Sequence, residues 1–232
     1  MKTPFQQHSK AFTLIELLVV VTIIAILVGL SVPAVSGGIM RAKQSKCASN
    51  MRQIGIAMMT YAGEHDYRLP ETSVSTSLGN TWIDLLAPYL SDLDEIRICP
   101  ADPLGNERLL AGGTSYILNS FLFVPERDRR GRVLGPPPNL LQIQNSSETI
   151  MAFIISEDQS IGLSSDHTHS ETWSSWNAVT ADISPDRFTS SSQPDHSVGS
   201  ANYLYADGHV QSVTASIMKA RIDGGENIAL PQ

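Results

Sequence analysis

The chain has 232 residues, enough for one large domain or a domain with an appendage, and its 42% apolar content excludes disorder throughout. Two cysteines exclude a disulfide-dense scaffold and a four-cysteine zinc site. The net charge of -7 is unevenly spread: residues 1–63 carry six basic residues against one acid, Glu16, and residues 64–232 carry ten against 22. A basic, membrane-seeking front therefore precedes an acidic body, and that body argues against nucleic acid as the main partner.

The first element in the chain is an apolar run, Leu17 to Val35, with 19 residues and no charge. At about 1.5 Å per residue a helix of this length crosses most of a ~30 Å hydrocarbon core. A buried core helix rarely stays apolar on every face for so long. Lys2 and Lys10 also supply the basic start of a secretory signal. However, the run is longer than an ordinary signal core, and the small-residue site, Ala11, precedes it rather than following it. Glu16 stands at the head of the run. An ionised carboxylate there costs several kcal/mol unless a partner neutralises it, and a chain cut between Ala11 and Phe12 would present such a partner as the new amine.

The sequence Lys10-Ala11-Phe12-Thr13-Leu14-Ile15-Glu16, followed by the apolar run, resembles the processing signal of type IV pilins and type II secretion pseudopilins. The family usually has Gly where this chain has Ala11. The resemblance implies cleavage after Ala11 by a prepilin peptidase on the cytoplasmic side, and N-methylation of Phe12. It also implies pairing of Glu16 with the N-terminal amine of a neighbouring subunit during filament assembly. Pro33 falls where many pilins carry a helix-kinking proline. Arg41, Lys43, Lys46 and Arg52 follow the run, so a plain positive-inside count places the body in the cytoplasm; the family resemblance places it on the other side.

Beyond Pro33 the pattern stays helical. Met40, Cys47, Met51, Ile54, Met58 and Tyr61 recur at heptad-like spacing, a seam expected to dock the body, with Gly63 as the stop. A helix from Phe12 to Ala62 would be ~75 Å long. Cys47 lies on the seam and Cys99 in Ile98-Cys99-Pro100-Ala101-Asp102, a strand end entering a turn. In an oxidising envelope the two are a disulfide candidate; the alternative is two separate buried thiols.

In the body, residues 80–90 read as a short amphipathic helix with an Asn or Thr cap. Ser115 to Val124 and Thr149 to Ile155 read as strands, the second well buried. Between them Arg127, Arg129, Arg130 and Arg132 read as a solvated hairpin tip before the stiff Gly135-Pro136-Pro137-Pro138 segment. Residues 160–200 contain twelve serines and read as a long irregular loop with strand pieces around Trp173 and Trp176, a candidate contact surface. Ala201 to Thr214 alternates around Asp207-Gly208, a signal for a two-residue hairpin. With His196 upstream it resembles the His-X9-Asp-Gly processing-associated domain attached to pilin-like proteins, although ten residues separate His196 from Asp207 here.

Two clusters are candidates for metal binding. His167 and His169 on a strand would point both rings to one face, as zinc or nickel requires; an exposed polar loop is the alternative. The resemblance to major pseudopilins, which bind calcium near their C-terminal loops, makes Asp195-His196 and Asp207 candidates for Ca²⁺ in an oxygen-rich loop, but turn chemistry explains Asp207 and a hydrogen-bonded core role would explain His196. No nucleophile elbow, phosphate loop or compelling carboxylate pair is present, so an enzyme is not expected.

The expected fold is α+β: a long N-terminal transmembrane helix packed on a small antiparallel β-sheet body. Its parts are a leader (1–11), a transmembrane helix (12–35), a helix extension (36–63) and a periplasmic body (64–232). The expected function is that of a prepilin-like subunit of a type IV pilus-like or type II secretion pseudopilus filament. Its expected partners are the prepilin peptidase and N-methyltransferase, other pilin-like subunits including its own copies, and an inner-membrane assembly platform. The alternative is an uncleaved single-pass envelope protein whose body binds a metal or carbohydrate through residues 160–200.

Overall fold

The computed structural model describes residues 13–72, 81–126, 128, 130, 132–162, 165–189 and 193–232, with residues 30–34 described by backbone alone. The expected leader, with Ala11 and Phe12, lies outside the described residues, as do Arg127 and Arg129. The chain divides into two compact units, Met1–Ile39 and Met40–Gln232.

In the first unit, helix α1 (Leu14–Glu64) begins. Thr13 and Glu16 form a capping box: Glu16 Oε2 accepts from the Thr13 amide at 2.8 Å and from its hydroxyl at 2.7 Å, and Thr13 Oγ1 accepts from the Glu16 amide at 3.3 Å. Thr22, a polar residue within the run, donates its hydroxyl to the Leu18 carbonyl at 2.7 Å. Leu14, Ile15, Leu17, Leu18, Val19, Val20, Val21, Ile23, Ile24, Ile26, Leu27 and Val28 are all exposed. Among the described residues no helix is long and apolar enough to cross a membrane. The expected span over 12–35 includes Phe12 and the side chains of residues 30–34, which lie outside that description. The backbone stays helical across Pro33.

The second unit contains the rest of α1 and an α+β body. The seam forms as expected: Cys47, Met51, Ile54 and Met58 are buried in the core, with Met40 and Tyr61 packed at its margins. Helix α1 runs past Gly63 to Glu64, and the reversal falls at Asp66 and Tyr67, both in the left-handed region at φ 53° and 59°. The Tyr67 amide closes it by donating to the Ala62 carbonyl at 2.8 Å.

Helix α2 (Trp82–Leu85) starts at Thr81, which forms a capping box with Asp84, and is followed by a 3₁₀ turn at Ala87–Tyr89. Helices α3 (Leu93–Ile96) and α4 (Gly105–Leu110) precede strand β1 (Tyr116–Leu118). The expected strand 115–124 stops there, because the Asn119 side chain accepts from the Phe121 amide and caps helix α5 (Ser120–Phe123). Strand β2 (Ile150–Ile154) is fully buried, as expected. The 160–200 region is more ordered than its serine content suggests: a 3₁₀ turn at Ser170–Thr172 precedes helix α6 (Trp176–Asp182), capped by Ser175, and Trp173 and Trp176 are buried in helical or turn structure rather than in strands.

Strands β3 (Ser200–Tyr205) and β4 (Val210–Thr214) form the expected hairpin, and helix α7 (Ala215–Asp223) follows. The four strands make one antiparallel meander in the order β1-β2-β3-β4. The loop differs from the expected two-residue turn. Tyr205 donates its amide to the His209 carbonyl, leaving Ala206, Asp207 and Gly208 between them, with Gly208 at φ 86°. That is the three-residue hairpin with glycine in the left-handed position.

The hairpin seats on α1 at a second glycine. A Cβ on Gly55 would lie 2.8 Å from Leu204 Cδ1 and 3.4 Å from the Gly208 backbone. About three helical turns earlier, Gln44 donates to the hydroxyls of Ser212 and Ser200 at 2.6 and 3.2 Å, and its carbonyl accepts from Asn202 at 2.9 Å.

Candidate functional site

The residues with functional promise fall in four places. At the head of α1 the capping box holds Glu16 on the helix N-terminus, where the aligned backbone amides favour a carboxylate. Its side chain is exposed and backed by a long apolar surface. Local structure therefore already orients this acid, and its exposure leaves it open to a second partner. Ala11 and Phe12, the expected processing residues, lie outside the described residues.

The two cysteines come together. Cys47 on α1 and Cys99 at the turn after α3 are both fully buried and both free thiols. The Tyr116 hydroxyl approaches Cys47 Sγ at 3.6 Å. Burial, followed by the neighbouring Cys99 thiol, pushes the Cys47 thiol well above its ordinary range.

The histidine residues are dispersed over separate carboxylates. His167 Nδ1 lies 2.8 Å from Asp166 and His169 Nδ1 lies 3.4 Å from Asp182, with the two rings 5.7 Å apart. Asp182 also accepts from the His169 amide at 2.7 Å and from Trp173 Nε1 at 2.8 Å, so it is a buried organiser of this loop. His196, at φ 52°, pairs with Asp186 at 3.0 Å, and its side chain is half-exposed rather than a core histidine. Asp207 accepts from the His209 amide at 3.0 Å and pairs with its ring at 2.6 Å. Among the described residues no group of three His, Cys, Asp or Glu is placed to hold a metal ion. The candidate ligands His167, His169, His196 and Asp207 thus do not assemble into one centre; each answers to a local acid or turn. Arg130 and Arg132, from the expected basic tip, wrap the Asp128 carboxylate through their amides, and Arg132 Nε adds an ion pair at 2.7 Å.

Sequence reasoning missed the buried charge beneath α4. Arg108 Nε lies 3.2 Å from Asp102 Oδ2, both side chains are almost wholly buried, and Arg108 also donates to the Ser156 and Ser160 carbonyls at 2.9 and 3.0 Å. Asp102 accepts from Ser115 Oγ at 2.6 Å. Only the spacing of an acid and an arginine across one short helix hinted at it. A cleft of about 590 Å³ was also missed; it is lined by Tyr61, His65, Arg68, Phe123 and the Pro136–Pro138 run. The Tyr61 and His65 rings stack there at 3.9 Å.

An apolar helix headed by a capped acid is joined in sequence to an α+β body with one antiparallel meander. The prokaryotic N-terminal methylation motif matches residues 6–32. The chain is also similar to the type II secretion system core protein G of Escherichia coli (strain K12), at 29% identity over 102 residues, which cover 44% of this chain and 70% of that protein. Both findings are a likeness to the type IV pilin and pseudopilin family. No solved structure matches it.

Proposed function

We propose that this chain is a structural subunit made as a precursor, cleaved after Ala11 and N-methylated at Phe12, and polymerised into a type IV pilus-like or type II secretion pseudopilus filament. The observation that carries the proposal is the juxtaposition of a methylation motif, an exposed capped acid and an exposed apolar stretch from Leu14 to Val28. Before assembly the helix over residues 12–35 anchors the chain once in the inner membrane, with the body in the periplasm. Exposed apolar side chains there lose nothing to water in lipid, and in a filament they bury against copies of themselves. Glu16 is neutralised by the methylated amine of a neighbour, which fixes axial register. The function is assembly rather than turnover. The prepilin peptidase, other pilin-like subunits and an assembly platform in the inner membrane are its partners.

Mass spectrometry of the N-terminal peptide from protein extracted from native membranes tests this. A peptide beginning at Phe12 with one added methyl group is expected. An intact Met1 or Lys2 start in cells with an active prepilin peptidase overturns it.

A further inference from the structure

We propose that Cys47 and Cys99 form a structural disulfide in the mature protein, locking the packed half of α1 to the turn that follows α3. The proposal rests on the periplasmic placement of the body given above, because an oxidising compartment is needed for such a bond to persist.

The geometry is fixed from both sides of each sulfur. One helical turn beyond Cys47, the fully buried Asn50 donates from one Nδ2 to two carbonyls of the facing segment, Glu95 at 3.0 Å and Ile98 at 3.1 Å. Ile98 is the residue before Cys99. One residue before Cys47, Lys46 pairs with Glu95 at 2.7 Å. The Cys99 carbonyl accepts the Asp102 amide at 2.9 Å, and Asp102 is itself held by Arg108 and Ser115. The two buried thiols are therefore brought into one part of the core, between segments whose backbones are held on either side. Neither sulfur is exposed to solvent. Tyr116 closes the pocket over Cys47.

Oxidation of this pair breaks both S–H bonds and makes one S–S bond. Two electrons and, by way of solvent, two protons pass to a protein disulfide of an envelope thiol oxidase, whose own S–S bond breaks as it becomes a dithiol. The reaction runs through a mixed disulfide and needs a thiolate that the oxidant can reach. In the docked body neither thiol is reachable, so the bond forms while α1 is still undocked. Docking then shields it from reductants. Burial of both sulfurs makes the bond structural, with no part in exchange once the body has folded.

The test maps thiols in the full-length protein. Protein is extracted from native membranes without reductant, quenched in acid, denatured and treated with a heavy maleimide, before and after reduction. The result expected is no label before reduction and two labels after it, with a linked Cys47–Cys99 peptide two hydrogens lighter than its reduced parts. A parallel sample is denatured, reduced and refolded in detergent with a glutathione redox buffer. Two free thiols in the refolded sample overturn the disulfide itself. Free thiols in the native sample with a linked peptide in the refolded one keep the pairing and overturn the periplasmic placement. No variant is needed for these arms. As a second reading, reduction of the linked protein lowers the body's melting temperature by roughly 10 °C, through the return of chain entropy to the unfolded state; no shift on reduction overturns a structural role.

Discussion

The two stretches of α1 obey different rules although one helix contains both. From Leu14 to Val28 the apolar side chains cover every face and stay exposed. From Met40 to Tyr61 they fall on one seam, and that seam is buried. The first stretch has no preferred side, so it suits any apolar surroundings, lipid or identical neighbours. The second has one side and one partner, the body's own sheet and turns. Register matters in the second stretch, where Gly55 must meet Gly208. In the first, the function proposed above assigns position to the charged head at Glu16 and not to shape.

The contrast can be broken most strongly from the body side. Asp102→Asn removes the charge opposite the buried Arg108 guanidinium. Stranding that cation is expected to destabilise the body by about 3–5 kcal/mol, read by urea unfolding followed by tryptophan fluorescence. A change below about 1 kcal/mol would show that water reaches Arg108. Next in size, Met51→Ala on the buried seam is expected to cost about 2–5 kcal/mol. Leu18→Ala in the exposed stretch is expected to move body unfolding by less than about 0.5 kcal/mol. Equal effects of the two on the same unfolding curve would erase the distinction between the stretches.

The smallest effect expected is on acid stability, and it belongs to the body alone. The hydrogen bonds from Arg221 hold the Glu226 carboxyl below its usual range. At Asp207 burial acts upward, but the His209 amide and ring outweigh it and the carboxyl is also lowered. A carboxyl lowered by folding contributes stability that is complete above the ordinary carboxylate range of about 4, and this is lost as pH falls through the folded value. Both groups are partly solvated, so the loss is modest. Arg221→Gln is expected to flatten the decline in melting temperature between about pH 5 and pH 2.5; an unchanged slope would remove Glu226 from the account.

Much of this was legible because it depends on local chemistry. The seam from Cys47 to Met58, the buried strand at Ile150–Ile154 and the Asp207-Gly208 hairpin all have short-range signatures. The failures share a cause in polar side chains that bond to nearby backbone. Asn119 turned the expected strand into a helix after Leu118. Ser175 started a helix in a region that composition made look irregular, although a serine before a helical spacing of Trp176 and Val179 was the available clue. Asp182 gathers His169 and Trp173, a long-range choice with no local pattern. His167, His169 and His196 each have an acid close by, and spacing in sequence does not say which acid.

The meander also sets a timetable. The hairpin of β3 and β4 needs only a three-residue loop to close, an event of about 1–10 μs. Strand β2 reaches β3 only after the intervening chain, with α6 inside it, has been brought round. That closure carries the larger entropic cost and is the slower step. Until that closure β2, apolar at every position, lacks the partner strand that covers its edge. That interval is when the chain is most prone to associate wrongly with its neighbours.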